Sequence, residues 1–373
     1  MFFRFLQESL GPFLGRQFLI RVQLVFTGWI FVFQSKLFCP GNLMYNIFMQ
    51  TLSPSLRIGV LRGGPSPEYD ISLQSGGNVL RQLSETHRPL DIFISKNGVW
   101  HMHGLPRKPE KIFPHIDIFW NALHGVFGED GKLQKILDSH GVKYTGSGAF
   151  ASALCMNKKI SKEIFAKNGL KTPRHVVIKR NDDISEKSKE IFKTFLMPVV
   201  VKPVSAGSSI GVSIVDTVPE IIDAVRSAFK HGAGVLVEEY VKGKEATCAV
   251  LENFRGKPIY AFLPIEIRPS AKFFDYDSKY VADASEEICP GHFFEEEKKT
   301  IENYARLAHS ALGLSQYSRS DFIVAPKRGV FILETNSLPG LTEQSLLPKS
   351  LSAVGLSQKD FIHHVLSLAL NKK

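Results

Sequence analysis

Short apolar runs alternate with segments of helical period from Leu56 onward, and this alternation predicts an α/β fold. In the first part of this region, the runs typical of buried strands are 57–61, 91–95 and 116–123. Ser66, Pro67 and Glu68 follow the first run and offer a helix N-cap, a helix-opening proline and a first-turn carboxylate. We therefore predict an N-terminal parallel α/β sheet domain over residues 56–146.

A second unit is predicted over residues 147–240. Its expected elements are a helix at 158–168, strands at 198–202 and 212–215, and a loop of small residues at 205–211 between those strands. Two strands joined by such a loop form a hairpin whose tip can close over phosphates through backbone N–H groups. A flexible surface turn has the same composition, and Lys202, directly before the loop, keeps the phosphate-binding alternative open.

The third unit, residues 241–373, carries the most informative pattern in the chain. An apolar run predicts a buried strand that delivers Glu334 and Asn336, and the alternation of side chains places both on one face. A second strand is expected to begin at Asp321, just after Arg319. Three oxygen ligands and a guanidinium on adjacent strands predict a metal–nucleotide site for phosphoryl transfer. For Glu334 alone, a buried carboxylate satisfied by a neighbouring arginine explains the pattern equally well.

Residues 1–55 do not match the rest of the chain. They are rich in Phe, Leu and Ile and show neither a helical nor a strand period. The best membrane candidate, 22–33, falls short of the roughly 20 residues that a spanning helix needs, and Arg21 blocks its extension. No small-x-small cleavage site follows the apolar core, which argues against a signal peptide. We expect an atypical apolar extension, with translation starting near Met44 or Met49, rather than a membrane anchor.

The composition narrows the class of function. A chain of 373 residues, 44% hydrophobic and 22% charged, fits a globular enzyme of two or three domains. The formal charge of +10 is spread over scattered lysines and arginines, which favours a site for a small polyphosphate over a nucleic-acid surface. The four cysteines lie far apart without CxxC spacing, which argues against zinc and disulfides and favours a reducing compartment, the cytoplasm.

Eight motifs follow one another along the chain. They are GGPSPE at 63–68, LHGVFGEDG at 123–131, YTGSG at 144–148, MNK at 156–158, VKP at 201–203, GSS at 207–209, FDY with KY at 274–280, and the two metal strands. Together they resemble the D-alanine–D-alanine ligases of the ATP-grasp superfamily, over nearly everything from 57 to 370. The resemblance implies a three-domain ATP-grasp fold. It also implies ATP-dependent ligation of two D-alanines through a D-alanyl acyl phosphate, for peptidoglycan precursor synthesis.

The resemblance assigns roles to the nucleotide and metal residues. Asp321, Glu334 and Asn336 are expected to hold two Mg²⁺ ions, or Mn²⁺, with Glu334 bridging. The residues expected at ATP are Lys158 and Lys202 at the phosphates, Glu238 at the adenine, Glu245 at the ribose, and Lys279 at the γ-phosphate when a lid closes.

The resemblance also assigns the substrate side. Glu68 is expected to bind the amine of the first D-alanine, with His124 close to the same substrate. The groups expected at carboxylate or oxyanion oxygens are the Arg319 guanidinium, the Gly340 backbone N–H, the Ser345 hydroxyl and the Leu346 backbone amide. An amino acid needs these two opposite chemistries, because an ammonium requires a carboxylate and its carboxylate requires donors.

A mobile lid is implied for residues 270–291. In it, Tyr280 would bond Ser208 and, through Ser208, Glu68, so that water is excluded from the acyl phosphate. Within the family, tyrosine at this position accompanies the D-Ala–D-Ala product, while phenylalanine accompanies D-alanine–D-lactate enzymes. Tyr280 therefore favours the dipeptide.

Two alternatives remain open. A ligase that joins D-alanine to D-lactate or D-serine would share the metal residues and differ at Glu68, Tyr280 and around Ser345. A non-catalytic ATP-binding scaffold is suggested only by the apolar N-terminus. The expected partners are D-alanine and ATP, without nucleic acid or stable membrane insertion. A homodimer is usual in the family, although no residue here indicates one.

The departures from the family pattern are modest. Asn157 replaces the usual aspartate before Lys158. Ser320 stands between Arg319 and Asp321, where isoleucine is commoner. Neither change removes a ligand or a cation, and we expect Ser320 to affect only the packing behind the metal site.

Overall fold

The computed structural model describes six stretches of the chain: residues 21–27, 30–37, 45–49, 52–207, 210–269 and 285–372. The first three stretches are the strands of one antiparallel sheet, β1 (Arg21–Thr27), β2 (Ile30–Leu37) and β3 (Tyr45–Met49). The sequence shows no strand period here. Strands pair through main-chain hydrogen bonds, which do not depend on an alternating pattern of side chains. Within the described ranges, no helix combines the length and the apolar composition that a membrane crossing requires.

A six-stranded mixed sheet follows in the chain. Its strands are β4 (Ile58–Gly63), β5 (Leu90–Ile94), β6 (Trp100–Met102), β7 (Leu105–Pro106), β8 (Ile118–Asn121) and β9 (Lys143–Tyr144). They lie in the order β7-β6-β5-β4-β8-β9, with parallel pairing of β4 to β5 and β8, and of β8 to β9. Its helices are α1 (Tyr69–Ser84), α2 (Pro109–Ile112) and α3 (Lys132–Ser139). The predicted parallel α/β sheet is therefore confirmed, with β6 and β7 added as an antiparallel edge.

Helix α1 begins at Tyr69, three residues after its predicted N-cap at Ser66. Pro67 and Glu68 form a turn in which Ser66 Oγ accepts a hydrogen bond from Glu68 N at 3.1 Å. Proline favours the second position of such a turn because its φ is fixed. The predicted capping role of Ser66 is thus wrong, and so is the first-turn position of Glu68. Glu68 occupies the N-cap position, and its side chain makes no cap hydrogen bond.

The third sheet is antiparallel and has four strands. They are β10 (His175–Lys179), β11 (Val199–Pro203), β12 (Ser213–Val215) and β13 (Gly234–Glu239), in the order β10-β13-β11-β12. The helices of this part of the chain are α4 (Ala149–Met156), α5 (Lys158–Lys167), α6 (Ile184–Thr194) and α7 (Val218–Ala228). Strands β11 and β12 pair with Val199 opposite Val215, which confirms the predicted hairpin.

The fourth sheet is also antiparallel and has six strands. They are β14 (Lys244–Phe254), β15 (Lys257–Ala261), β16 (Ile265–Pro269), β17 (Ser285–Ile288), β18 (Tyr317–Ala325) and β19 (Gly329–Asn336). Their order is β17-β16-β14-β18-β19, with β15 paired to β14. The last helices are α8 (Glu295–Ala311), α9 (Leu346–Ala353) and α10 (Gln358–Leu370). The strand expected to begin at Asp321 in fact begins at Tyr317, so Arg319 lies within it as well.

Packing links these sheets across the predicted units. Helix α10, near the C-terminus, packs on the mixed sheet, where Phe361 contacts Trp120 with ring centroids 6.5 Å apart. Helices α4 and α5 pack on the fourth sheet, where Cys155 and Phe165 share a buried apolar cluster with Ile332. Helices α6 and α7 instead cover the third sheet. The first two clusters join the mixed and fourth sheets to helices from other parts of the chain, whereas the third sheet has a core of its own. The boundaries at 146 and 240 stay a prediction.

Candidate active site

One cavity of about 1370 Å³ lies between the mixed, third and fourth sheets. It brings together the predicted site residues that the structure describes: Glu68, His124, Lys158, Lys202, Glu238, Glu245, Arg319, Asp321, Glu334, Asn336, Gly340, Ser345 and Leu346. The remaining predicted residues, Ser208, Lys279 and Tyr280, lie outside the described residues. Carboxylates, ammonium groups and a guanidinium therefore converge on one space from distant parts of the chain.

The acidic wall of the cavity is built by the pairing of β18 with β19. Asp321 lies opposite Glu334 and Arg319 opposite Asn336, and residues directly opposite in an antiparallel pair share a face. The register shifts immediately after Asp321, which leaves Leu333 as an extra residue in β19. Such a bulge bends the strand and redirects its side chains. All four polar side chains therefore face the cavity from one rigid surface.

Asp321 is held by donors on three sides. Arg319 donates from Nε to Oδ1 and from a terminal nitrogen to Oδ2, both at 3.0 Å, so the contact is bidentate. Thr247 on β14 donates to Oδ1 at 2.7 Å, and Asn336 donates to Oδ2 at 3.1 Å. Charge-assisted bidentate contacts fix geometry as well as supplying energy. The carboxylate is thus oriented before any ligand arrives.

The donor set fits a hard divalent cation. Carboxylate and amide oxygens are the ligands that Mg²⁺ prefers. A positive charge already sits at Glu334, where the Lys158 ammonium lies 2.9 Å from Oε2. Among the described residues, no three His, Cys, Asp or Glu side chains are arranged to hold a metal ion. The amide of Asn336 is therefore needed as a ligand beside the carboxylate of Asp321. A half-turn of its amide presents Oδ1 instead of Nδ2 to the cavity.

Lys158 links helix α5 to the acidic wall. It is the first residue of the helix, and Asn157 caps that helix by accepting a hydrogen bond from Ile160 N at 3.2 Å. The asparagine thus keeps the capping role that an aspartate would have. Lys158 Nζ also donates to Ala206 O at 2.7 Å, in the small-residue loop. Burial alone would lower the pKa of Lys158, but the Glu334 carboxylate raises it above its ordinary value, so the ammonium stays charged.

A buried ion-pair cluster lies on the third sheet side. Glu238 is 2% exposed, and its Oε2 lies 3.0 Å from Lys202 Nζ. Its Oε1 lies 2.9 Å from the ammonium of Lys162, which also donates to Thr172 Oγ1 at 2.8 Å. Burial opposes ionisation of Glu238, but the two ammonium groups hold its pKa below the ordinary value. Burial lowers the pKa of Lys162 to about 8, against the opposing effect of Glu238.

Glu68 lies where two glycines approach it. A Cβ atom at Gly207 would lie 2.5 Å from Glu68 Oε2, and one at Gly125 would lie closer still. Gly125 also has a φ of +69°, which side chains rarely adopt. A side chain at either position would displace the Glu68 carboxylate, because the turn at Glu68, the loop after β8 and the small-residue loop meet around it. The Glu68 side chain is 8% exposed, at the floor of the cavity.

His124 lies between a hydroxyl group and a carboxylate. Its Nε2 lies 2.9 Å from Ser75 Oγ on helix α1, and its Nδ1 lies 3.7 Å from Glu129 Oε1. Glu129 Oε1 in turn accepts from Gly125 N at 2.9 Å. Burial alone would lower the pKa of His124, but the carboxylates of Glu129 and Glu68 raise it above its ordinary value. The imidazole is therefore oriented at both nitrogens, with Glu129 favouring its protonated form.

The same helix holds the segment after β19. Ser75 Oγ accepts from Leu341 N at 3.3 Å, and Asn78 Nδ2, one turn further along α1, donates to Leu341 O at 2.7 Å. Both backbone groups of Leu341 are thereby tied to α1. Since Gly340 precedes Leu341 directly, this clamp fixes the chain immediately after the Gly340 N–H, which is expected to bind an oxyanion.

Ser345 and Leu346 lie at the start of helix α9. Ser345 occupies the N-cap position, and Leu346 is the first helical residue. N–H groups of a first helical turn lack intrahelical acceptors, so this end suits a carboxylate. Thr342 N donates to Ser345 Oγ at 3.1 Å, and the Thr342 hydroxyl lies 2.7 Å from the same oxygen. A Cβ at Gly340 would lie 2.9 Å from Ser345 Oγ, so the glycine lets this hydroxyl approach.

Glu245 is placed by β14, which runs through the middle of the fourth sheet. It lies opposite Ile267 of β16 and opposite Ile323 of β18. Its carboxylate lines the same cavity on the side of Glu238 and the connection between the third and fourth sheets.

Four side chains of the site were not found from the sequence. Lys162 lies four residues after Lys158, a helical spacing that places both on one face, so a signal existed for it. Thr247 reaches Asp321 only because β14 pairs with β18, which no local pattern indicates. Ser75 and Asn78 contact a segment more than 260 positions away in the chain. No sequence signal points to them.

Comparison with protein families places this site in context. A family model described as the D-ala D-ala ligase C-terminus matches residues 164–367. The D-alanine–D-alanine ligase of Geobacter sulfurreducens is 38% identical over 312 residues, which cover 83% of this chain and 93% of that protein. The D-alanine–D-alanine ligase of Desulfotalea psychrophila is 37% identical over 320 residues, 85% of this chain and 96% of that protein.

Solved structures give the same result. The VanG D-Ala:D-Ser ligase of Enterococcus faecalis matches with a TM-score of 0.73 and 30% identity, over 84% of this chain and 99% of that one. The D-alanine-D-alanine ligase of Coxiella burnetii matches with a TM-score of 0.74 and 26% identity, over 86% of this chain and 95% of that one. The predicted ATP-grasp architecture is confirmed by these neighbours.

Proposed function

The chain belongs to the D-alanine–D-alanine ligase family, and from this premise we propose that it joins two D-alanines to D-alanyl-D-alanine at the expense of ATP. A carboxylate oxygen of the first D-alanine attacks the γ-phosphorus, and ADP leaves. The amine of the second D-alanine then attacks the carbonyl carbon of the acyl phosphate. The tetrahedral oxyanion collapses, inorganic phosphate leaves, and the dipeptide supplies peptidoglycan synthesis.

One observation carries the proposal: the contact of 2.9 Å between Lys158 and Glu334. Lys158 opens a helix, and Glu334 lies two residues before the end of a strand more than 170 residues further along the chain. Their contact brings a phosphate-binding cation and a metal-binding carboxylate into one cavity of about 1370 Å³. Phosphoryl transfer depends mainly on such positioning and on charge.

The nucleotide side follows from the charges of the cavity. Asp321, Glu334 and Asn336 would hold two Mg²⁺ ions, or Mn²⁺, which supply charge neutralisation at the phosphates. Lys158 and Lys202 bind phosphate oxygens as point charges. The remaining proposed nucleotide contacts are Glu238 at the adenine amino group and Glu245 at the ribose hydroxyls.

The substrate side uses the opposite chemistry at its two ends. Glu68 binds the ammonium of the first D-alanine, and His124 packs beside that substrate. Arg319 and the Gly340 N–H stabilise the oxyanion that forms when the second amine attacks. The carboxylate of the second D-alanine lies at the Ser345 hydroxyl and at the Leu346 N–H. Clamping of the neighbouring peptide by helix α1 supports this arrangement.

The lid residues enter the proposal from the sequence resemblance. Lys279 contacts the γ-phosphate when the lid closes, and Tyr280 bonds Ser208 near Glu68. Closure protects the acyl phosphate from water. The same resemblance makes Tyr280 a determinant of the amine acceptor.

A second candidate, ligation of D-alanine to D-serine, is favoured by one observation. The VanG D-Ala:D-Ser ligase is 30% identical over 84% of the chain. The acceptor subsite at Ser345 and Leu346 decides between the candidates. The family relatives named above are D-alanine–D-alanine ligases, which favours D-alanine as the acceptor.

The test is ADP release with Mg-ATP and a panel of D-alanine alone, or D-alanine with D-serine or D-lactate. D-alanine alone should give the highest kcat/KM, with Glu334→Gln as the inactive control. A Tyr280→Phe variant should gain use of D-lactate. Higher kcat/KM with D-serine than with D-alanine would select the second candidate, and Mg-ATP binding without turnover would favour a non-catalytic scaffold.

The proposal includes a cytoplasmic location and the small-molecule partners D-alanine and ATP. The support is chemical: Cys155, Cys248 and Cys289 are free thiols among the described residues, as expected where disulfides do not form. A homodimer is part of the same proposal, by analogy with the family. Light scattering coupled to gel filtration measures the subunit number.

A further inference from the structure

Lys162 is the most deeply buried charged residue of the cluster around Glu238. It is 0% exposed, and its ammonium contacts only Glu238 Oε1 at 2.9 Å and Thr172 Oγ1 at 2.8 Å among the contacts that the described residues show. Lys202 and Glu238 line the cavity, but Lys162 is not among the lining residues found in the described part of the chain. Because Lys162 does not line the cavity, its charge has to act on another residue and not on a ligand directly.

The proposed function separates the partners of this cluster. Glu238 lies diagonally across from Lys202, because Val200 of β11 pairs with Glu238 of β13 and Lys202 follows two residues later. If nucleotide binds as the proposed function requires, Lys202 turns to a phosphate and Glu238 turns to the adenine. A carboxylate that is 2% exposed would then lose one of its two cations. Leaving a buried charge without a partner is strongly unfavourable.

We propose that Lys162 is a positioning residue that serves as the permanent counter-ion of Glu238, keeping this carboxylate ionised and aimed at the nucleobase while Lys202 moves to the triphosphate. The inference rests on the proposed function, because it takes Glu238 as the adenine contact. Thr172 holds the ammonium from a second side. Helix α5 thus serves the nucleotide twice, through Lys158 at the phosphates and through Lys162 behind the nucleobase.

This arrangement has a consequence for nucleotide choice. Adenine presents an amino group, a donor, where guanine presents a carbonyl oxygen, an acceptor. An ionised carboxylate is only an acceptor, so it binds the first and repels the second. A Glu238 that is protonated or turned away would lose this selection. Lys162, although it never touches the base, thereby sets the preference for adenine nucleotides.

The experiment measures binding of MgADP and MgGDP by isothermal titration, which needs no turnover. The variants are Lys162→Met, Glu238→Gln, the double variant, and Lys159→Met as a matched control. Lys159 belongs to the same helix, but its side chain is 47% exposed, and its ion pair among the described residues is with Glu163 at 3.7 Å. Steady-state kinetics with ATP and D-alanine then separate KM from kcat.

We expect Lys162→Met to weaken MgADP binding by at least roughly 30-fold, as truncation of one partner of a buried charge pair does. The preference for ADP over GDP should fall by a similar factor, KM for ATP should rise, and kcat at saturating ATP should stay within about threefold. In the Glu238→Gln background, Lys162→Met should cost less than about threefold more, because the two residues act as one unit. Lys159→Met should change binding by no more than about twofold.

Two outcomes overturn the inference. One is an unchanged ADP-over-GDP preference in Lys162→Met, and the other is an equal loss in the Glu238→Gln background. If Lys162→Met does not fold, Thr172→Val carries the test, since it removes one acceptor of the ammonium. It should raise the Kd for MgADP by roughly two- to tenfold, less than the full strength of a hydrogen bond to a charge, because this bond acts on the nucleotide only through Lys162 and Glu238; an unchanged Kd contradicts the proposal. Wild-type protein that shows this selection but forms no dipeptide refutes the proposed function and leaves the inference standing.

Discussion

Replacement of Arg319 by lysine tests whether the guanidinium acts on the reacting centre. Arg319 is 17% exposed and donates twice to Asp321, at 3.0 Å each. A lysine keeps the charge but donates as a point, so it cannot hold Asp321 and an oxyanion in the fixed geometry of a planar fork. The substitution therefore removes the fixed hydrogen-bond geometry of the guanidinium but keeps its positive charge in the cavity.

The magnitude follows from one lost charge-assisted hydrogen bond. Such a bond contributes about 1.5–3 kcal/mol, which corresponds to a factor of about 10–150 in rate if it exists only in the transition state. Loss of a complete oxyanion donor costs about 10²–10³ in kcat, which sets the upper limit. Asp321 keeps Thr247 and Asn336 as donors, so the fold of the β18–β19 edge should survive.

The assay is ADP release coupled to NADH oxidation, with ATP and D-alanine varied separately. Arg319→Lys should lower kcat by about 10- to 150-fold while KM for ATP changes by less than about threefold. Circular dichroism should show an unchanged melting temperature. A variant with wild-type kcat, or one whose loss lies entirely in KM for ATP, would refute the role of Arg319 at the oxyanion.

Three further predictions concern residues behind the site. Ser75→Ala releases Leu341 N from helix α1 and should raise KM for D-alanine by roughly 3- to 30-fold, with KM for ATP unchanged in the same assay. Ser320→Ala leaves the buried Thr335 hydroxyl, now 2.8 Å from Ser320 Oγ, without this partner. It should lower the free energy of unfolding by about 1–3 kcal/mol in urea denaturation, with little change in kcat. Lys162 faces Glu238, Lys202 and Glu334, and its pKa is lowered to about 8. When Lys202 moves away, the pKa of Lys162 rises, so MgADP binding takes up a proton. The MgADP affinity should therefore be constant below pH 8 and fall above it. Lys162→Arg should flatten this fall.

Controls make each of these predictions specific. If Ser75→Ala alters KM for ATP as much as KM for D-alanine, the clamp is not confined to the amino-acid subsite. If Ser320→Ala melts like the wild type, the hydrogen bond to Thr335 contributes nothing to stability. A fall of affinity above pH 8 that persists in Lys162→Arg assigns the titration to another group.

The strand β19 could be predicted because its signal is local. An apolar run followed by Glu334 and Asn336 alternates correctly within eight residues, and the strand ends at Asn336. The start of β18 was predicted wrongly for an equally physical reason. Ser318 and Ser320 look like loop residues, yet both are buried, where Ser318 lies 2.8 Å from His309 Nδ1 and Ser320 contacts Thr335. Partners from distant elements make these serines compatible with the core, and no local pattern reveals such partners.

The charged cluster behind the nucleotide shows the same limit. Lys202 and Glu238 were found because they match family motifs at the cavity wall. Lys162 was not, since lysine is almost never fully buried unless it is paired, and the pair forms only when helix α5 meets the third sheet. Likewise, the turn at Pro67 moved the start of helix α1 and left Glu68 facing the cavity. Local chemistry can be predicted from the sequence, whereas long-range pairing cannot.

The central claim is that the D-alanine carboxylate is phosphorylated before the peptide bond forms. It is tested most directly with D-alanine carrying ¹⁸O in both carboxylate oxygens, with Mg-ATP and mass spectrometry of the released phosphate. An acyl phosphate requires that one ¹⁸O per dipeptide move to inorganic phosphate, with none appearing in the Glu334→Gln control. Dipeptide formed at the normal rate with unlabelled phosphate would contradict the account.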